Sequence, residues 1–174
     1  MTKINENSIL WLAFLTAAAS SLQIVENLIL RLLPLPFIRI GLSNVVILYL
    51  IYRRKSVHAL VVAISKSILG GLFTFTLLTP STLLSLSGGL AAFTTMVLAR
   101  QLKLGLSIYG VSILGAIAHN MMQLYLVHRF IIESARVFVL TPLLLSIALL
   151  NGGIIAYLTI YIDKRIQIPQ TGVT

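Results

Sequence analysis

Few side chains in this chain of 174 residues can do chemistry, and most that can are amides or lone charges set inside apolar runs. His119, Asn120 and Gln123 form the densest group. His119 and Gln123 are four apart, so on a helix they share a face, with Gly115 and Ala116 just beneath. Small residues there leave room for a ligand or for a neighbouring helix. Glu26, Asn27, Asn44 and Lys66 are further polar residues inside apolar runs. Amides and an imidazole recognise a small polar molecule by hydrogen bonds, and such groups in a bilayer tend to mark function. The bland alternative is hydrogen bonding between helices, which polar residues in bundles also supply.

Other chemistries find no residues. The four acids, Glu6, Glu26, Glu133 and Asp163, lie far apart, which argues against a site holding magnesium between carboxylates. There is no cysteine, so disulfides, iron–sulfur clusters and thiolate zinc sites are excluded. His58, His119 and His128 show no metal-ligand spacing. No nucleophile–base pair is visible. No Gly-rich lysine motif for nucleotides occurs, so any ATP use must come from a partner. The expectation is a protein that is not an enzyme and carries no cofactor or metal.

The elements that position these residues are membrane helices. Hydrophobic residues make up 58% of the chain and charged ones 10%, against about 25% charged in a soluble domain. Apolar runs at residues 8–33, 40–52, 57–78, 82–99, 104–127 and 137–162 predict an all-α bundle of six transmembrane helices, one membrane domain over 1–174. The second is short: thirteen residues reach only about 20 Å, and Pro34 and Pro36 break helical bonding before it. Arg53-Arg54-Lys55, Arg100 with Lys103, Lys164-Arg165 and Lys3 all fall on one side of six spans. The other side carries Arg31, Arg39, Arg129 and Arg136, offset by Glu26 and Glu133. An excess of basic residues marks the cytoplasmic side, so both termini are expected in the cytoplasm of a plasma-membrane protein. The net charge of +9 sits in these short clusters, as topology signals do, and not in a nucleic-acid-binding patch. The start of the chain mimics a signal peptide, with Ala17 to Ala19 as a cleavage site, but its apolar run continues to Leu33, longer than a signal core.

Helix rise then gives depth. Glu26 and Asn27 fall near the outer end of the first helix, and Asn44 about one turn below the outer end of the second. His119, Asn120 and Gln123 fall in the outer half of the fifth, and Asn151 in the inner half of the sixth. An outer-half pocket formed by several helices follows, with Arg39 at its mouth. Lys66 is the deepest charge, about 15 Å from the cytoplasmic end. It is either a counter-charge for an anionic ligand or a structural lysine bonded to helix-end carbonyls. Its estimated depth differs from that of Glu26 by about 9 Å, so a direct pair requires it to stretch. Gly70-Gly71, Gly88-Gly89 and Gly152-Gly153 read as close helix contacts, as do Ser67-x-x-x-Gly71 and Ser85-x-x-x-Gly89. Ser81 or Thr82 is expected to cap the fourth helix. Ala13 and Ala17 form a flat stripe on the first.

Three segments carry a resemblance. Val25-Glu-Asn-Leu through Pro34-Leu-Pro-Phe to Gly41-Leu-Ser-Asn44, then Leu69-Gly-Gly-Leu with Ser81 to Gly89, then Gly115-Ala-Ile-Ala-His-Asn120-Met-Met-Gln123, resemble the Gx transporter family. That family is also labelled heptaprenyl diphosphate synthase component I. It is similar in turn to the substrate-binding S components of energy-coupling-factor vitamin importers. The resemblance implies a six-helix binding protein that takes a small-molecule ligand, flavin- or quinone-related, near the outer face. It implies docking on a transmembrane coupling subunit driven by ATPases, through an A-x-x-x-A stripe that Ala13 and Ala17 match. Its ligand-binding residues would be Glu26, Asn27, Arg39, Asn44, Lys66, His119, Asn120 and Gln123. The synthase label implies instead an accessory membrane subunit for prenyl diphosphate and quinone biosynthesis or flavin-linked electron transfer. The chain lacks the aspartate-rich motifs of a prenyl synthase itself.

Overall fold

The computed structural model describes residues 6–30, 41–102, 105–132 and 134–167. Six α-helices follow one another: α1 (Glu6–Leu30), α2 (Asn44–Tyr52), α3 (Ser56–Phe73), α4 (Pro80–Gln101), α5 (Ile108–Val127) and α6 (Thr141–Gln167). A π-helical turn (His128–Ile132) and a 3-10 segment (Ala135–Leu140) link α5 to α6. Among the described residues there is no strand.

Five of the helices are long and apolar enough to cross a bilayer. The exception is α2, whose nine residues rise only about 14 Å. The expected second span is therefore half a span. Its surroundings explain how so short a helix persists. α1 packs on α3, α3 on α4, α4 on α5 and α5 on α6, while α2 touches α1, α3, α4 and α6. α2 is the interior element, and every residue from Asn44 to Ile51 is buried. A helix apolar on all faces has its place inside such a bundle. Around it the core is built largely of small side chains, Ala19, Ala59, Ala63, Ala92 and Ala156, which let backbones approach closely. Large apolar side chains point outward instead, among them Leu10, Phe14, Leu72, Leu150 and Tyr157. A water-soluble surface does not carry apolar area on this scale.

Each glycine pair has a close contact. A Cβ on Gly152 would come within 2.7 Å of the Ile113 backbone, and one on Gly88 within 3.0 Å of the His119 ring. Gly153, by contrast, faces open space. Ser67 and Ser85 meet at 3.4 Å across α3 and α4. α4 starts differently from expectation. Thr79 is its N-cap residue, with no side-chain cap bond, and Pro80 opens the first turn. The Thr79 and Thr82 hydroxyls both donate to the Thr76 carbonyl at 2.7 Å, so they brace the preceding turn.

Six of the basic residues gather at one end. Arg53 pairs with Asp163 at 2.7 Å, joining the C-terminal ends of α2 and α6. Arg100, in the last turn of α4, donates to the Ile51 carbonyl. Arg54, Lys55, Lys164 and Arg165 stand nearby in sequence at the same helix ends. Three arginines lie over tyrosine rings: Arg53 on Tyr49 at 5.8 Å, Arg100 on Tyr52 at 5.5 Å and Arg165 on Tyr161 at 5.4 Å.

Candidate functional site

The site begins where α2 begins, inside the bundle. Gly41 has φ +74°, a conformation that favours glycine, and turns the chain into the helix. The first N–H groups of a helix lack carbonyl partners within it. Here the buried Glu26 carboxylate of α1 accepts from Gly41 N at 2.6 Å and Leu42 N at 3.2 Å, just ahead of the first turn. A negative charge is also favoured at that end by the helix dipole. From α3, Lys66 donates to Ser43 Oγ and Asn44 Oδ1, both at 2.7 Å. It is 2% exposed. A carboxylate and an ammonium thus hold one turn from two sides. Both of these partners are side chains, whereas the structural expectation was helix-end carbonyls.

This turn is deeper than the sequence suggested. Lys66 lies ten residues into α3, so its bonds put Asn44 about 15 Å from the basic end. Asn44 starts α2, where a position one turn below its outer end was expected, and α2 fills only the basic half of the bundle.

Beside the turn stands α5. Asn120 Nδ2 donates to the Leu144 carbonyl of α6 at 3.0 Å. Gln123 Nε2 donates to the Leu84 carbonyl of α4 at 3.3 Å. His119 packs against Gly88. A small cleft of about 10 Å³ opens between α2, α5 and α6. Asn44, His119, Asn120 and Asn151 supply its polar lining, and Ala116 and Ala148 part of its apolar lining. That volume has room for about one water molecule.

The sequence-predicted residues therefore divide. Asn44, His119 and Asn120 meet at the cleft, and Glu26 and Lys66 adjoin it through the α2 turn. Gln123 is spent on α4. Asn27 is half-buried on α1 and does not line the cleft. Arg39, expected at the pocket mouth, lies outside the described residues. Ala13 and Ala17 are both exposed on α1. One residue was misread and another was passed over. Asn151, assigned to the inner half, reaches the same cleft as Asn44, because the 3-10 segment delays the start of α6 to Thr141. Gln23 is buried against Gly70, three residues before Glu26 and on its face, a spacing that could have flagged it.

Chemically, the cleft offers amide and imidazole groups for hydrogen bonding. Among the described residues no three histidine or carboxylate side chains group as metal ligands. The fold and this buried polar layer define a multi-pass helical membrane protein with polar groups held at mid-depth. The chain belongs to the heptaprenyl diphosphate synthase component I family, which matches it over residues 15–162. No curated protein and no solved structure matches the chain.

Proposed function

We propose that this protein is the substrate-binding membrane subunit of a small-molecule importer, similar to the S components of energy-coupling-factor transporters. The observation that carries this reading is the convergence of Asn44, His119, Asn120 and Asn151 from three helices on one cleft. The basic clusters lie at the far end of α2, and by the charge rule that end faces the cytoplasm. The cleft is then approached from outside. It has room for one water, so ligand entry requires α2 to part from α5 and α6. The ligand is a small molecule, flavin- or quinone-related, held by hydrogen bonds from these amides and His119, with Lys66 as counter-charge. The protein itself is not an enzyme. Transport depends on a transmembrane coupling subunit with ATPases, docked at the exposed Ala13 and Ala17.

The family description supports a second reading, an accessory subunit in prenyl diphosphate synthesis. Native mass spectrometry of gently extracted protein separates the two. The importer reading expects a retained polar small molecule, bound about 1–3 kcal/mol more weakly in His119→Ala, the cost of removing one buried polar partner. A retained prenyl diphosphate would favour the accessory reading. Equal retention by His119→Ala would remove the cleft from the importer reading.

A further inference from the structure

The basic end holds a second and larger pair of openings, distinct from the polar cleft. One, of about 210 Å³, is lined by the apolar Leu48, Ile51, Leu106 and Ile108, with Tyr52 and Arg100 also in its wall. The other, of about 330 Å³, is lined by Arg54, Ser56, Gln101 and again Ile51 and Arg100. Ile51 and Arg100 line both, so an apolar trough runs into a basic one. The charges there are available. Arg53 is matched by Asp163 at 2.7 Å, but among the described residues no carboxylate pairs with Arg54 or Arg100. Arg100 is held in place by the Ile51 carbonyl and the Tyr52 ring at 5.5 Å. The rest of its fork of donors is left for a ligand.

Arg54 sits in an unusual backbone setting. It closes α2 with φ +59°, its N–H on the Ile51 carbonyl at 3.0 Å, and Lys55 N on the Leu50 carbonyl at 2.8 Å. This is the left-handed position after a helix that glycine normally fills. An arginine there is disfavoured by its own Cβ, and that strain is not offset by any described ion pair. A phosphate has the charge and the acceptor oxygens that two guanidinium groups bind. An acyl chain matches the trough of leucine and isoleucine. Basic pockets between membrane helices are a known setting for anionic head groups.

We propose that these adjoining clefts bind an anionic phospholipid, its phosphate on Arg54 and Arg100 and one chain against Leu48 and Ile108. The site is independent of the importer reading. The test uses the intact protein in nanodiscs of mixed phosphatidylglycerol and phosphatidylcholine, with the lipids that survive release counted by native mass spectrometry. Wild type should retain phosphatidylglycerol selectively. Arg54→Gly, which relaxes the backbone and so should not lower the melting temperature, should cut that selectivity roughly fivefold. Arg54→Lys should keep it, and so should Lys164→Gln at the exposed end of α6. Unselective retention by wild type, unchanged selectivity in Arg54→Gly, or an equal loss in Lys164→Gln would overturn the site. Displacement of the lipid by equimolar glycerol phosphate would overturn the lipid as occupant.

Discussion

Glu26 is a carboxylate inside an apolar bundle, where an uncompensated charge costs several kcal/mol. Its two N–H partners make it tolerable, and both belong to the turn before α2, fifteen and sixteen residues away. Glu26→Ala should therefore destabilise by about 2–3 kcal/mol, since two backbone donors lose an ionised acceptor. Glu26→Gln keeps one acceptor oxygen and should lose roughly half of that. Thermal unfolding of the detergent-solubilised protein reads both. The Lys66→Met effect should not add to the Glu26→Ala effect, because the two side chains grip the same turn. Unchanged melting in Glu26→Ala would mean that the turn is held without it. The sequence made Glu26 conspicuous as an acid within a span. Its partner was not legible, because the bond is non-local and backbone N–H groups carry no sequence signature.

Among the elements, α2 best separates what periodicity reveals from what it hides. Its apolar run was visible, and its shortness followed from the thirteen residues of that run. Its depth did not, because that is set by Lys66 reaching from α3 to Asn44. Asn151 was misplaced for a similar reason: residues 137–140 are apolar enough to read as helix but belong to the 3-10 segment, which shortens α6 at its start. The glycine pairs were readable as contacts, while the sequence could not say which member bears the contact. The structure distinguishes them. Gly152→Ala would drive a methyl to 2.7 Å from the Ile113 backbone, which cannot swing away as a side chain can. It should cost about 1–3 kcal/mol by overpacking. Gly153→Ala meets open space and should be neutral or stabilising by up to about 1 kcal/mol, the difference in helix propensity. Equal melting temperatures for the two variants would show that α5 and α6 separate freely at this crossing. The Ser112 hydroxyl on the Gly152 carbonyl at 2.7 Å argues that they do not.

At the scale of the whole molecule, the structure is a bundle with a buried half-helix and an exterior made for lipid. The sequence carries no Gly-rich lysine motif for nucleotides, so on the importer reading active import requires a face for another membrane protein. Helices in lipid associate through close backbone approach and van der Waals contact, because there is no water to exclude between them. Large side chains cover most of the outer surface of α1, with Leu10 at 68% and Phe14 at 62% exposed. Ala13 and Ala17 interrupt them, exposed and four residues apart on one stripe, where a partner's backbone can come close. Leu15 and Ala19, by contrast, face the core. Tryptophans at 13 and 17 would then project into lipid, filling the stripe without entering the bundle. Ala13→Trp combined with Ala17→Trp should leave the stability within about 0.5 kcal/mol of wild type, as surface changes generally do. It should abolish co-purification with a transmembrane partner and abolish uptake in cells. Normal uptake by a well-folded double mutant would refute this docking face. Loss of folding would instead mean that the stripe packs inside the bundle, which would favour the accessory reading.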